Sequence, residues 1–198
     1  MTTGTMKTAV LMLAALTALA SCASISREDC MAGDWQAIGL RDGTAGVRAD
    51  IQFDRHQRQC AKVDVTPDRT EWQRGYDLGL QRFCTPLSGL EQGQRGRINH
   101  NLCPAGLAAG FDEGHALGLR EHAQRARVQN VLNEISSLQD RNRAALAGLA
   151  AGGDDRLRAD LHNTRSDILH LRLELGLERA ALRRLEREVA AFRARVGG

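Results

Sequence analysis

Asp34, Asp42, His56, Asp77, His100 and His115, six of the aspartates and histidines of this 198-residue chain, are of types that could gather around a ligand or a metal. A carboxylate and an imidazole can orient each other, exchange a proton or ligate a divalent cation. They therefore define one candidate site, in which glycine-rich loops with Asp34, Asp42 and His56 form a pocket for a small ligand or a metal. The spacing argues the other way. The six are scattered between positions 34 and 115, and Asp42-Gly43 is a common turn pair. His115 and His122, seven apart, share a helix face, but a pair alone makes no site. The chain contains no P-loop, nucleophile elbow, HExxH or dinucleotide fingerprint. No catalytic residue, cofactor or metal ligand is assigned, and a non-enzymatic role is expected.

Cysteine is the other reactive type. Cys30, Cys60, Cys84 and Cys103 fall in one stretch, and Cys22 stands before them. An even number of cysteines in a small domain reads as a disulfide framework where the compartment is oxidising. No two have the C-x2-C spacing of zinc motifs. Four cysteines allow three connectivities. Neighbouring pairs, Cys30 with Cys60 and Cys84 with Cys103, close the shorter loops and are favoured, with the other two left open. Each bridge contributes roughly 2–4 kcal/mol, mainly by constraining the unfolded chain.

The residues before Cys22 bear on its role. Met1 to Ser21 include no Asp or Glu, one basic residue at Lys7, and an apolar run from Ala9 to Ala20 that ends in small residues. That is the pattern of a secretory signal, and the run is shorter than the roughly 20 residues that span a bilayer as a helix. Leu19-Ala20-Ser21-Cys22 resembles the lipobox of bacterial lipoproteins, which implies cleavage before Cys22 and diacylation of that cysteine. Two acyl chains hold a protein stably on a membrane where one does not. By the same resemblance, Ala23 and Ser24 lack the acidic residue that favours inner-membrane retention. The implied location is the periplasmic face of the outer membrane, a compartment that excludes nucleic acid as a partner. A cleaved signal with an incidental Cys22 is the alternative.

The elements that must position these residues divide by composition. Trp35, Phe53, Trp72, Tyr76, Phe83 and Phe111 all precede residue 120, after which the sequence turns to Ala, Leu, Arg and Glu with no Pro or Cys. Residues 22–119 carry 11 Lys and Arg against 13 Asp and Glu, and residues 120–198 carry 15 against 11. So weak a surplus is usual for solvated helix faces; a charged partner, if the basic part has one, is an anionic envelope surface. The expected organisation is a signal peptide over 1–21, a lipid-anchored linker over 22–27, a cysteine- and glycine-rich domain over 28–122 and a helical hairpin over 123–198.

Within the compact part, EWQRGYDLGLQRFC from Glu71 and GFDEGHALGLREHA from Gly110 repeat at an offset of 39. Gly75 and Gly79 match Gly114 and Gly118, so each copy presents two glycines on one helix face. Glycine inside a helix costs about 1 kcal/mol unless close contact repays it, which predicts two short helices packed through these faces. Thr85 through Gly96 reads as loop and turn. The ordered series Cys30, Gly33-Asp34-Trp35, Ile38-Gly39, Asp42-Gly43, Gly46, His56, Cys60, Gly75-Tyr76, Gly79-Leu80, Phe83-Cys84, Gly93, Gly96, Cys103-Pro104 and Phe111 resembles a family of bacterial lipoproteins known as domain of unknown function 2799. The resemblance covers roughly residues 28–122 and departs at His115, where Tyr is expected. It implies an envelope location and a disulfide-bearing helical module, and it transfers no reaction, cofactor or catalytic residue.

From Leu157 a heptad series runs through Leu161, Thr164, Ile168, Leu171, Leu175, Glu178, Leu182, Leu185, Val189, Phe192 and Val196, the period of a left-handed coiled coil. A second, more polar stripe runs through Val128, Leu132, Ile135, Gln139, Asn142, Leu146 and Leu149. Between them lies Ala151-Gly152-Gly153-Asp154-Asp155, a break in which Asp154 or Asp155 caps the second helix. The fold class is thus mainly α: a small glycine-rich, disulfide-bearing helical domain followed by a long antiparallel coiled-coil hairpin. With a first arm over Arg120–Ala150, part of the longer second seam lacks an intrachain partner. It folds back on the glycine-rich domain, pairs in a homodimer through the coiled coil, or docks on another envelope protein. Arg179, Arg183 and Arg187 lie four apart and repel mildly, so an acidic neighbour would suit them.

Overall fold

The structure, a computed structural model, describes residues 25–197, and every regular element among them is helical. The elements are α1 (Arg27–Ala32), α2 (Trp35–Thr44), α3 (Ala49–Cys60) with a 3-10 turn at Ala61–Val63, α4 (Arg69–Phe83), α5 (Pro86–Gln94), α6 (Ala105–Ala150) and α7 (Asp155–Val196). The mainly helical fold expected from the sequence is the fold observed. Two compact units divide between Arg82 and Phe83. The compositional change near residue 120 lies inside α6, which runs on unbroken; one helix passes there from a glycine crossing to an apolar seam. The signal segment and Cys22 lie outside the described residues.

In the first unit the helix ends follow from capping chemistry. Ser26 and Asp29 form a reciprocal capping box on α1, Gly33 ends that helix in the left-handed region (φ +69°), and Asp34 caps α2 by accepting from the Ala37 N–H. The Cys30–Cys60 disulfide staples α1 to the end of α3. Helices α2 and α4 cross through glycine: a Cβ on Gly39 would overlap the Trp72 carbonyl, one on Gly43 the Tyr76 carbonyl, and ones on Gly75 and Gly79 the Gln36 and Leu40 carbonyls.

The second unit repeats that crossing between α5 and α6. A Cβ on Gly89 or Gly93 would overlap the Phe111 or His115 carbonyl, and one on Gly114 or Gly118 the Pro86 or Leu90 carbonyl. This corrects two expectations. The repeated glycine faces at Gly75/Gly79 and Gly114/Gly118 each pack against a glycine-bearing helix of their own unit. The supposed loop over Thr85–Gly96 is mostly helix α5, in which the Thr85 side chain caps the Ser88 N–H and Pro86 occupies the first turn. Pro is favoured at that position because its missing donor would have no partner there. The Cys84–Cys103 disulfide joins the chain just before α5 to the chain just before α6, so both neighbouring pairs are bridged.

Because α6 begins at Ala105, its 46 residues match the 42 of α7 and the hairpin arms are nearly equal. All twelve heptad positions of α7 are buried or half-buried. At its far end Val189 and Phe192 pack with Leu90 of α5 and Leu117 of α6. The apolar excess of the second arm therefore folds back within its own unit. On α6 the buried stripe is Gln124, Val131, Ile135, Leu138 and Ala145, while Leu146 is 47% exposed. Of the expected stripe, Ile135 is buried, Val128, Leu132, Gln139, Asn142 and Leu149 are half-buried and Leu146 is exposed; the more deeply buried neighbours of Leu132, Gln139 and Leu146 are Val131, Leu138 and Ala145. Polar layers fix the register: Thr164 donates to the Asn142 side chain, and Gln124 donates to the Glu178 carbonyl at 3.0 Å and to its carboxylate.

Candidate functional site

Two of the six candidate residues meet in the fold. In the first unit Asp42 of α2 and His56 of α3 meet, with 2.7 Å between Asp42 Oδ2 and His56 Nε2. The same oxygen accepts from Trp72 Nε1 of α4 at 2.9 Å, and Oδ1 accepts from Gln52 Nε2 at 3.3 Å. The carboxylate thus has three donors from two other helices. Trp72 is packed between Phe53 (ring centroids 5.1 Å apart) and Tyr76 (4.9 Å). With Nε2 directed at the carboxylate, His56 Nδ1 is buried and has no hydrogen-bond partner.

An Asp–His pair works in catalysis when the second ring nitrogen reaches a reacting atom. Here His56 is 1% exposed and Asp42 5%, so the pair faces the core, and its chemistry is consumed in joining α2, α3 and α4. Asp34 does not join them; it is an exposed helix cap. Asp77 accepts from Gln73 on the surface, and His100 is exposed in the α5–α6 connection. Among the described residues, no three of His, Cys, Asp and Glu converge as metal ligands would. The pocket imagined around Asp34, Asp42 and His56 is therefore not assembled.

His115 and His122, both on α6, donate to backbone carbonyls: His115 Nε2 to Arg97 O at 2.7 Å and His122 Nδ1 to Gln94 O at 3.0 Å. His115 has a structural counterpart. Tyr76, at the matching position of the other crossing, donates its hydroxyl to Val47 O at 2.6 Å. Val47 follows Gly43, and Arg97 follows Gly93, by four residues, and the intervening Gly46 and Gly96 share a left-handed backbone (φ +65° and +68°). Imidazole and phenol here do one job, satisfying the carbonyl that follows a turn. That accounts for His at a position where Tyr was expected.

The surface feature that sequence reading missed is on the outer side of α7. Leu169, Leu173 and Leu177 are 61%, 71% and 73% exposed, and Gly176 among them has nothing within 4 Å of where a Cβ would be. The i, i+4, i+8 spacing was legible, but it ran beside a stronger seam. Elsewhere the hairpin pairs its charges, as in Arg120–Glu188 at 3.0 Å, Arg141–Asp160 at 3.1 Å and Arg127–Glu178 at 3.5 Å. Arg179, Arg183 and Arg187 form no ion pair among the described residues.

These features define an all-helical, disulfide-stapled module built on two glycine-faced helix crossings, the second of which extends into a hairpin. Residues 34–120 match the family described as "Protein of unknown function (DUF2799)". The match opens at the Asp34 cap of α2 and ends in α6, so it takes in both crossings. No curated protein and no solved structure matches the chain.

Proposed function

We propose that this protein is an outer-membrane lipoprotein facing the periplasm, held through acylated Cys22, and that it acts as a non-enzymatic interaction module of the cell envelope. The observation that carries the interaction reading is the leucine stripe on α7, left bare although the neighbouring seam of the same helix is buried or half-buried. Exposed leucines are common singly, but an ordered row on a rigid helix marks a contact surface. The anchor reading is supported by the segment before Cys22 and by two disulfides, which persist in an oxidising compartment. Among the described residues no helix is long and apolar enough to cross a membrane.

Cys22→Ala in the native host tests the anchor: the protein should leave the membrane fraction, and an unchanged distribution refutes lipidation. Photo-crosslinking probes at Arg172 and Arg184 test the interaction. Products containing a second polypeptide are expected. Adducts only to the same chain would reduce the hairpin to a brace.

A further inference from the structure

We propose that the outer face of α7 receives the same face of a second copy of this chain, with the two α7 helices parallel, an inference that rests on the interaction reading above. Leu169, Leu173 and Leu177 make a stripe about 12 Å long at 1.5 Å per residue. Gly176 lies in it with open space around it. A glycine inside a helix costs about 1 kcal/mol relative to alanine, a cost offset where another backbone comes close; among the described residues nothing does so.

The flanks select the occupant. At 100° per residue Arg165, Arg172 and Arg179 lie on one side of Leu173, and Asp167 and Glu174 lie on the other. All five are exposed, and none forms an ion pair among the described residues. A twofold axis parallel to the helices brings the basic flank of each copy against the acidic flank of the other, on both sides of the leucines. An antiparallel twofold would set arginine against arginine. An anionic lipid surface would attract one flank and repel the other. Of these three arrangements, only the parallel second copy uses both. The stripe is small beside the roughly 800 Å² per partner of a standard interface, so pairing is concentration-dependent, and tethering of both copies to one membrane would favour it.

The test uses the full chain in mild detergent, with one added cysteine at Ser166, Leu173 or Ala180 and a short thiol-reactive crosslinker. In a parallel pair each stripe residue faces its own counterpart, so Ser166→Cys and Ala180→Cys should both yield crosslinked dimers. Leu173→Glu added to either should lower the yield at least tenfold, with the helical circular dichroism unchanged because Leu173 is a surface residue. Crosslinking from Leu173→Cys alone would mean an antiparallel pair and overturn the proposal, as would absence of dimers at every position. If the in-cell probes at Arg172 and Arg184 capture only foreign protein, self-pairing falls and the interaction reading stands. If they capture only their own chain, both fall.

Discussion

At the scale of single residues, three of the titratable groups that looked chemical in the sequence, Asp42, His56 and His115, serve as buried joints. Asp42 ties three helices through His56, Trp72 and Gln52, and Tyr76 and His115 close equivalent turns. Sequence placed Asp42 and His56 among the candidates but not Trp72 or Gln52, because an indole N–H or an amide becomes a partner only once the fold places it. Tyr76 offers a direct reading of this core, since it is the chain's only tyrosine. Burial, helped by the carboxylates of Asp42, Asp77 and Asp50, pushes its phenol from 10.0 up to about 12. The folded state thus favours the protonated form. The corresponding stability is complete below pH 10 and is lost as pH rises through about 12. Absorbance titration of the phenolate should give a midpoint near 12 for the folded protein and near 10 in denaturant. A folded midpoint near 10 would show that the phenol is solvated. Tyr76→Phe should flatten the loss of stability across that window, at a cost of about 1–3 kcal/mol at neutral pH from the unsatisfied Val47 carbonyl.

At the scale of elements, legibility depended on how many answers a pattern allowed. The seam of α7 was readable because its period admits one register over twelve positions. On α6 two stripes of equal period competed, and the choice of Val131, Leu138 and Ala145 over Leu132, Gln139 and Leu146 is made by packing against α7, which no local pattern encodes. Helix α5 was hidden because Gly89 and Gly93 read as turn residues, although their spacing of four and the Thr85-Pro86 start were helix signals. Glycines of opposite consequence make this testable. Gly75→Ala drives a methyl into the Gln36 carbonyl, a backbone clash that should destabilise by about 1–3 kcal/mol. Gly176→Ala meets nothing within 4 Å and should stabilise the dilute protein by about 1 kcal/mol. Denaturant midpoints measure both, and similar values for the two substitutions would contradict the glycine crossing.

At the scale of the whole molecule, each compact unit carries its own bridge, and the two bridges close loops of different kinds. Cys30–Cys60 closes a loop within the first unit, with a separation of 30 residues, whereas Cys84–Cys103, separated by 19, closes a loop around α5 in a unit whose main body is the hairpin. A short chain buries too little surface to hold itself strongly, so the first unit depends more on its staple. The chain-entropy relation assigns that bridge about 3–4 kcal/mol. The probes separate naturally. Both tryptophans, Trp35 and Trp72, lie in the first unit, while α6 and α7, with 46 and 42 residues, dominate the helical circular dichroism. In the double substitution Cys30→Ser, Cys60→Ser, tryptophan fluorescence should report unfolding at markedly lower denaturant. The main dichroism transition should stay near its original midpoint, because the hairpin seam and the Cys84–Cys103 bridge are untouched. If both signals shifted together by the same amount, the two units would unfold as one cooperative body, and the first bridge would be supporting the hairpin as well.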